Sequence, residues 1–331
     1  MSKHPQEVGE IVKQHLKEFP TAPSQRIARW IFEKHPELGT QESIREVIRY
    51  YRGSHGAYHR DAVATQEFFE QPFLSYEIPL PCTYDSSPFI LKEKSCILLP
   101  DLHFPVQDNR ALGTTIDWGI KHRENHPLEC ILLNGDVLDA YSLSRFIKDP
   151  NRKGIKEEID DVRDFLQVLK DAFNLPIYYK FSNHERRFEN YVFVHAKELA
   201  GLEGLQLENL LHLSEYNCTP IKNKRVIQFG ELNIVHGDEF NKGFTTPVNP
   251  ARTLFLRCKA PTIGSHCHIT SEHSGRTINR KLITCWSTGC LCDLTPDWNP
   301  INEWNNGFAW MTRDEEYFRV VNLRIENGVV Y

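Results

Sequence analysis

The chain has 331 residues, 40% hydrophobic and 25% charged, with a formal net charge of −5. That balance suits an ordinary globular protein built as one large domain, or one domain with a small appendage, with ample core. It excludes a membrane-spanning chain, since no apolar run approaches a bilayer's width, and the opening Met1-Ser2-Lys3-His4-Pro5-Gln6-Glu7 has no signal-peptide core.

Nine cysteines, an odd number with no paired framework, fit reduced thiols and a cytoplasmic setting. The charge is uneven. Residues 1–60 hold ten Lys/Arg and seven Glu, so 10 − 7 = +3, which leaves −5 − 3 = −8 for residues 61–331. A basic head on an acidic body suggests two functional units.

Residues 6–19 place Val8, Ile11, Val12, Leu16 and Phe19 on one helical stripe. After Pro20 and Pro23, Ser24 is the expected N-cap of a second helix, Gln25 to about Lys34, with Ile27, Ala28 and Ile31 on one face. Thr40 is the expected cap of a third helix running to about Arg52, with an apolar stripe of Ile44, Val47, Ile48 and Tyr51. Short helices joined by a tight glycine-containing turn match the helix-turn-helix unit. Arg45, Arg49 and Arg52 then lie opposite the stripe, suited to DNA phosphates or base edges. A small bundle for dimerisation or packing, with solvated arginines, is the other reading. Residues 61–95, with Phe68, Phe69, Pro72, Phe73, Pro79, Pro81 and Pro88, read as an irregular linker that packs partly on the body through its aromatics.

From residue 96 the pattern becomes strand, loop and helix. Cys96–Leu99 leads to Asp101 and His103, which face one point if the chain stays extended. A helix is expected around Ala111–His122. Cys130–Leu133, a buried apolar run closed by Asn134-Gly135, then delivers Asp136. Lys156–Phe173 reads as a helix with Ile159, Val162, Phe165, Leu166 and Leu169 inward. Pro176–Phe181 is a strand that ends on Ser182-Asn183-His184-Glu185. Glu189–Leu211 is helical in parts, interrupted at Gly201 and Gly204. Val226–Phe229 and Leu232–Val235 form a hairpin that ends at His236, and Pro261-Thr262-Ile263 runs into His266 and His268. Later strands are expected at Lys281–Ser287, Phe308–Met311, Tyr317–Ile325 and Val329–Tyr331.

Loops beyond the carboxyl ends of strands are where open α/β sheets bind ligands. Seven residues stand there: Asp101, His103, Asp136, Asn183, His236, His266 and His268. Carboxylate, imidazole and amide together suit Mn²⁺, Fe²⁺ or Zn²⁺, and the absence of thiolates argues against a structural zinc. Seven ligands fill two sites only if one is shared, and Asp136 is the natural bridge. Two metals some 3.5–4 Å apart form a clamp for displacement at phosphorus.

In its order of blocks the chain resembles the calcineurin-like metallophosphoesterases. The family pattern D-x-H, G-D-x-x-D/N, G-N-H-D/E, a lone H and G-H-x-H is matched over about residues 95–331. Here the blocks are Asp101-Leu102-His103, Gly135-Asp136-Val137-Leu138-Asp139, Asn183-His184-Glu185, His236 and His266-Cys267-His268. Ser182 stands in place of a glycine, and Ser265 intervenes between Gly264 and His266.

The resemblance implies an α/β fold, a four-layered αββα sandwich of two sheets with outer helices, here preceded by a small helical domain. It implies that Asp101, His103, Asp136 and His268 hold one divalent metal, and that Asp136, Asn183, His236 and His266 hold the other. His184 would contact the phosphoryl oxygen or protonate the leaving group, oriented by Glu185. The chain then divides into a helical segment at 1–60, a linker at 61–95 and a phosphoesterase domain at 96–331.

Outside that pattern, Asp139 is expected to cap a helix or support a ligand rather than bind metal. Cys267, Cys285, Cys290 and Cys292 read as buried thiols. Trp286, Trp298 and Trp304 either stack substrate bases or pack over the late strands. Arg186 and Arg187 either contact phosphate or are solvated. The expected activity is hydrolysis of a phosphate ester, taken as a nucleic-acid diester because a helix-turn-helix-like segment precedes the body. A phosphomonoesterase on proteins or small molecules, and a DNA-binding assembly protein with a vestigial phosphoesterase body, are the alternatives.

Overall fold

A computed structural model describes residues 5–53, 85–240, 248–315 and 317–331. The chain divides into two compact units, Met1–Thr83 and Tyr84–Tyr331. The expected linker falls largely outside the described residues, and so do its aromatics Phe68, Phe69 and Phe73.

The first unit contains α1 (Pro5–Glu18), α2 (Ser24–Lys34) and α3 (Gln41–Arg52). Their stripes meet in one core of Val8, Val12, Leu16, Ile27, Ala28, Ile31, Leu38, Ile44 and Ile48. Thr40 caps α3, its side chain accepting the Ser43 amide at 3.2 Å. Ser24 departs from expectation: it is the first helical residue, after a Pro23 N-cap with no side-chain cap bond. Its hydroxyl instead accepts a hydrogen bond from Arg52 at 3.0 Å.

The second unit is mixed α/β with two sheets. Strands β1 to β13 are Phe89–Ile90, Ser95–Leu99, Cys130–Leu133, Ile177–Lys180, Cys218–Ile221, Ile227–Phe229, Leu232–Ile234, Thr262–Gly264, Ser271–Arg276, Leu282–Ser287, Asn306–Arg313, Phe318–Glu326 and Val329–Val330. Their order is β13-β12-β11-β2-β3-β4-β5 in the seven-stranded sheet and β1-β6-β7-β8-β10-β9 in the six-stranded one. The helices of this unit are α4 (Asn109–His122), α5 (Ile155–Phe173), α6 (Glu185–His195), the short α7 (Leu207–Leu210) and α8 (Pro250–Cys258).

Strands β2, β3 and β4 run parallel, with Leu98 opposite Leu132 and Leu132 opposite Tyr178. All of β2 and β3 is buried, which is why these strands read as unbroken apolar runs rather than alternating ones. One face sets Cys96, Leu98, Cys130 and Leu132 against Ile227, Phe229, Ile234 and Ile263 of the other sheet. The opposite face sets Ile97, Leu99, Ile131 and Leu133 in a cluster with Val162, Leu166 and Leu169 of α5. On the six-stranded sheet, Val235, Ile283 and Cys285 cluster with Leu254 of α8.

Because β2, β3 and β4 are parallel, their carboxyl ends open on one edge of the sheet. β7 and β8 are parallel as well, and so their loops also share an edge. These shared edges are what the functional site requires.

Candidate metal centre

The loops after β2, β3 and β8 take backbone conformations that L-residues rarely adopt. Asp101, His103, Asp136, His266 and His268 all have positive φ, between 48° and 70°. Such residues cost on the order of 1–3 kcal/mol each and persist only where their surroundings over-determine them, most often at functional sites. Gly135, at φ 87°, permits the closest approach: a Cβ there would lie 2.6 Å from His236 Nδ1 and 2.8 Å from Ser182 Cβ. The apolar run therefore closes on glycine because the backbone passes directly beneath a histidine ring.

Among the described residues four groups of potential metal donors gather here, His103 with Asp139 and His184, His103 with His268 and Cys292, and two that share Asp136. Within each, the ligand atoms lie within 4.8 Å of one another. Of the two that share it, Asp136 stands with Asp101 and His103 in the first and with His236 and His266 in the second. Its Oδ2 is 3.3 Å from His236 Nε2, 3.7 Å from His103 Nε2 and 3.8 Å from His266 Nδ1. His268 joins the first group, with Nε2 3.3 Å from His103 Nε2 and 3.5 Å from Asp101 Oδ1.

The donor set fits divalent cations. His103 Nε2 faces His268 Nε2, and His236 Nε2 faces His266 Nδ1 at 3.1 Å, so nitrogen lone pairs converge on common points. The ring of His236 is oriented by Nδ1–H donating to the Asn134 carbonyl at 2.8 Å, which leaves Nε2 turned to the cluster. Asn183 has a buried Oδ1 with no hydrogen-bond partner among the described residues, and it lines a neighbouring cavity with Ser142, Arg187 and Asn190 rather than the one over the cluster.

The electrostatics agree. Burial favours neutral Asp136, but the charges of His184 and His236 outweigh it and hold the carboxyl well below its usual range. Burial likewise opposes protonation of His236, yet the Asp136 charge raises its pKa well above the ordinary value.

Around this centre the structure assigns supporting roles that the sequence left open or placed wrongly. Glu185 does not orient His184. Its carboxylate is fully buried and accepts the amides of Val137 at 2.9 Å, Leu138 at 3.2 Å and Ser182 at 2.9 Å, together with the Tyr179 hydroxyl at 2.8 Å. It is thus the anchor of the Gly135–Leu138 loop. A carboxylate at the start of α6 points back into the strand ends, away from the imidazole of its neighbour.

Asp139 orients His184 instead, with Oδ1 2.8 Å from His184 Nδ1. The same carboxylate lies 3.5 Å from His103 Nδ1, near enough for charge attraction but not for a hydrogen bond. Arg187 is neither solvated nor directed outward: it donates to the Asp139 carbonyl at 2.7 Å and to His184 Nε2 at 3.0 Å. Arg186 pairs with Asp238.

Both serines that interrupt the motif have partners. The Ser182 hydroxyl bonds Asp136 and Glu185, and Ser265 Oγ accepts from Asn134 Nδ2 at 2.7 Å. Glu239, not singled out from sequence, accepts the His236 amide at 3.0 Å and pairs with buried Lys180 at 2.9 Å. Burial would raise its pKa, but the Lys180 and His236 charges hold it down at about 2.

The thiols are buried as expected, and Cys292 Sγ also sits 3.9 Å from His268 Nδ1. Trp286 is a core residue bonded to Glu272 at 3.0 Å. Trp298 and Trp304, by contrast, line a cavity of about 630 Å³ that also takes in His103, Asp136, Asp139, His184, His266 and His268. Tyr141, Phe146, Ile147 and Arg152 complete its rim.

The three head arginines do not share one fate. Arg52 donates to the Pro20 and Ala22 carbonyls and to Ser24, tying α3 to the α1–α2 turn, so it is no surface contact. Arg45 and Arg49 both reach Glu42, at 3.2 and 3.5 Å, and Arg49 is the more exposed.

No family model matches the chain. It is 23% identical over 247 residues to the Gene 54 protein of Mycobacterium phage L5, a match covering 71% of this chain and 95% of that protein. Among solved structures it is similar to Vacuolar Protein Sorting 29 of Cryptosporidium parvum, with 12% identity, TM-score 0.38, and 72% and 94% of the two chains covered. The Zn²⁺ complex of Vps29 from Entamoeba histolytica aligns with 8% identity and TM-score 0.35, over 72% and 96%. Pseudomonas putida nuclease MPE aligns with 13% identity and TM-score 0.31, over 69% and 87%. These scores are too low to carry a functional argument, which rests on the site itself.

Proposed function

We propose that the protein is a dinuclear-metal phosphoesterase of the calcineurin-like metallophosphoesterase type that hydrolyses phosphodiesters of nucleic acid. One observation carries the reading: Asp136 is common to two donor groups, as a bridging carboxylate between two ions must be. In this reading the helices outside the two packed sheets make a four-layered αββα sandwich. Asp101, His103, Asp136 and His268 would hold one ion, and Asp136, Asn183, His236 and His266 the other. Bound there, Mn²⁺, Fe²⁺ or Zn²⁺ would supply an activated water and positive charge for the phosphoryl oxygens.

The protein's own groups do the rest. Asp139 holds the His184 ring through Nδ1 while Arg187 donates to its Nε2, so His184 would protonate the departing oxygen only once Arg187 turned from Nε2 to the substrate. Until then Arg187 braces the same ring and adds a positive charge beside it. Glu185 and Ser182 hold the Asp136 loop in its strained form, so no reorganisation is needed when substrate arrives.

The preference for nucleic acid is supported by the basic helical head. Arg45 and Arg49 remain as phosphate contacts on α3, the expected recognition element of a helix-turn-helix. The two units then act as a DNA-binding head, residues 1–60, and a catalytic body, residues 96–331.

The test is to load the purified protein with Mn²⁺, count bound metal by elemental analysis and offer four substrates: a chromogenic diester, a chromogenic monoester, and single- and double-stranded DNA. The diester and at least one form of the DNA should be cleaved. Asp136→Asn should lose metal from both positions and fall to background. Two ions still bound in that variant, with activity near the parent's, would end the two-metal reading. Turnover of the monoester alone would end the nucleic-acid reading.

A further inference from the structure

The cavity over the metal centre has two unlike walls. One is the polar wall of imidazoles and carboxylates. The other is aromatic and cationic, built from Tyr141, Phe146, Arg152, Trp298 and Trp304. Arg152 is the centrepiece of the second wall. Its guanidinium carbon lies 4.4 Å from the Tyr141 ring centroid and 4.5 Å from the Trp298 centroid, and the group also pairs with Asp297. Arg152 is thereby held in place with its side chain 19% exposed.

The apolar members are not packed away. Phe146 is 59% exposed and Trp298 50% exposed. Rings left in water at the mouth of a cavity, rather than folded into the core, are what a ligand-binding surface requires. Trp304 lies against the metal centre, with its ring centroid 4.2 Å from that of His268. The aromatic wall therefore begins against a proposed metal ligand and runs outward to the surface.

We infer that this wall is a stacking subsite for a nucleobase adjoining the scissile phosphodiester, so that the substrate is an unstacked nucleotide unit. The inference rests on the phosphoesterase reading above and specifies its substrate. Stacking needs a free π-face, and a base in a duplex has both faces covered by its neighbours. A single strand, or a small nucleotide diester, offers the face freely. A guanidinium braced between rings adds cation–π attraction for whatever stacks beside it.

The full chain is tested with two esters that share a leaving group: thymidine 5′-(p-nitrophenyl phosphate), which carries a base, and methyl p-nitrophenyl phosphate, which does not. The parent should prefer the nucleoside ester in kcat/KM by roughly 5–100-fold, the range of one stacked base. Trp298→Ala should bring that ratio toward one, and Trp298→Phe, which keeps a ring, should restore most of it. A parent ratio near one, or a ratio unchanged in Trp298→Ala, would overturn the inference.

Binding supplies a readout independent of turnover. The metal-free protein at one fixed ionic strength is offered a fluorescent oligothymidylate and the dinucleotide thymidylyl-thymidine. Both should bind Trp298→Ala more weakly than the parent by a similar factor, and the tighter ligand names the source of the unit. Unchanged affinity for both would overturn the inference even if hydrolysis were robust. Weakened binding without hydrolysis of either ester would uphold the subsite while removing the phosphoesterase reading.

Discussion

At Asp136 the chain accepts a strained backbone, a buried charge and close contact with four histidines. A side chain in that position cannot be exchanged without cost to both donor groups. His184 shows a different kind of dependence. Its ring, 14% exposed, is fixed by Asp139 and Arg187; it shares a donor group with His103 and Asp139 but lies in neither of the groups that contain Asp136. His184→Ala should therefore keep its full metal content and lose turnover by about 10²–10⁴-fold, the usual worth of a positioned acid or base. The loss should be smallest for nitrophenolate, which leaves without needing a proton. Elemental analysis beside kinetics on two leaving groups checks this. A variant short of metal would make His184 a ligand instead.

At the scale of elements, α5 is tied to the site through one carboxylate. Glu158 is 1% exposed and accepts the amide of Ala140 at 2.6 Å, where Ala140 itself has φ 50°. Burial, aided by the Asp139 charge, raises the Glu158 pKa to about 7. The sign follows from linkage. A carboxyl that binds its proton more tightly when folded contributes stability that is fully present below its unfolded pKa of about 4.3. That stability is lost as pH rises through the folded value of about 7. Glu158→Gln keeps an acceptor for Ala140 and carries no charge. It should be close to neutral in urea melts at pH 5 and more stable than the parent at pH 8, by on the order of 1–3 kcal/mol. Equal effects at the two pH values would show that Glu158 is ionised throughout.

At the scale of the molecule, the chain has separate cores. One cluster is drawn from the first three helices, and the others come wholly from residues after 84. A chain lacking residues 1–83 should therefore still melt in one cooperative transition and still turn over a small chromogenic ester. If the head contacts DNA, duplex binding by the shortened chain should weaken. In the full chain, Arg49→Ala should then make the slope of log K against log salt shallower by about one unit. Arg52→Ala should act differently and lower the melting temperature of the head, because two of its bonds join α3 to the turn before α2 and a third joins it to Ser24, the first residue of α2. Circular dichroism and salt titrations read these separately.

The sequence by itself determined where the candidate donors lie, since each follows its strand within a few residues and the strand is marked by a local apolar run. Asp101, His103, Asp136, His236, His266 and His268, which the structure brings together, were legible for that reason, as were the three helices of the head and the cap at Thr40. It did not reveal β9, Ser271–Arg276, a polar edge strand with no buried apolar member to mark it. Nor did it reveal β1, whose two residues became strand only by pairing with Ile227 and Gln228.

The supporting contacts were decided by tertiary structure alone. Glu185 serves a loop 47 to 49 residues upstream. Arg152 and Asp297 meet across 145 positions. In both cases the partner is chosen by which chain ends the sheets bring to one edge. A local pattern can mark the end of a strand, but only the register of neighbouring strands decides what faces it there.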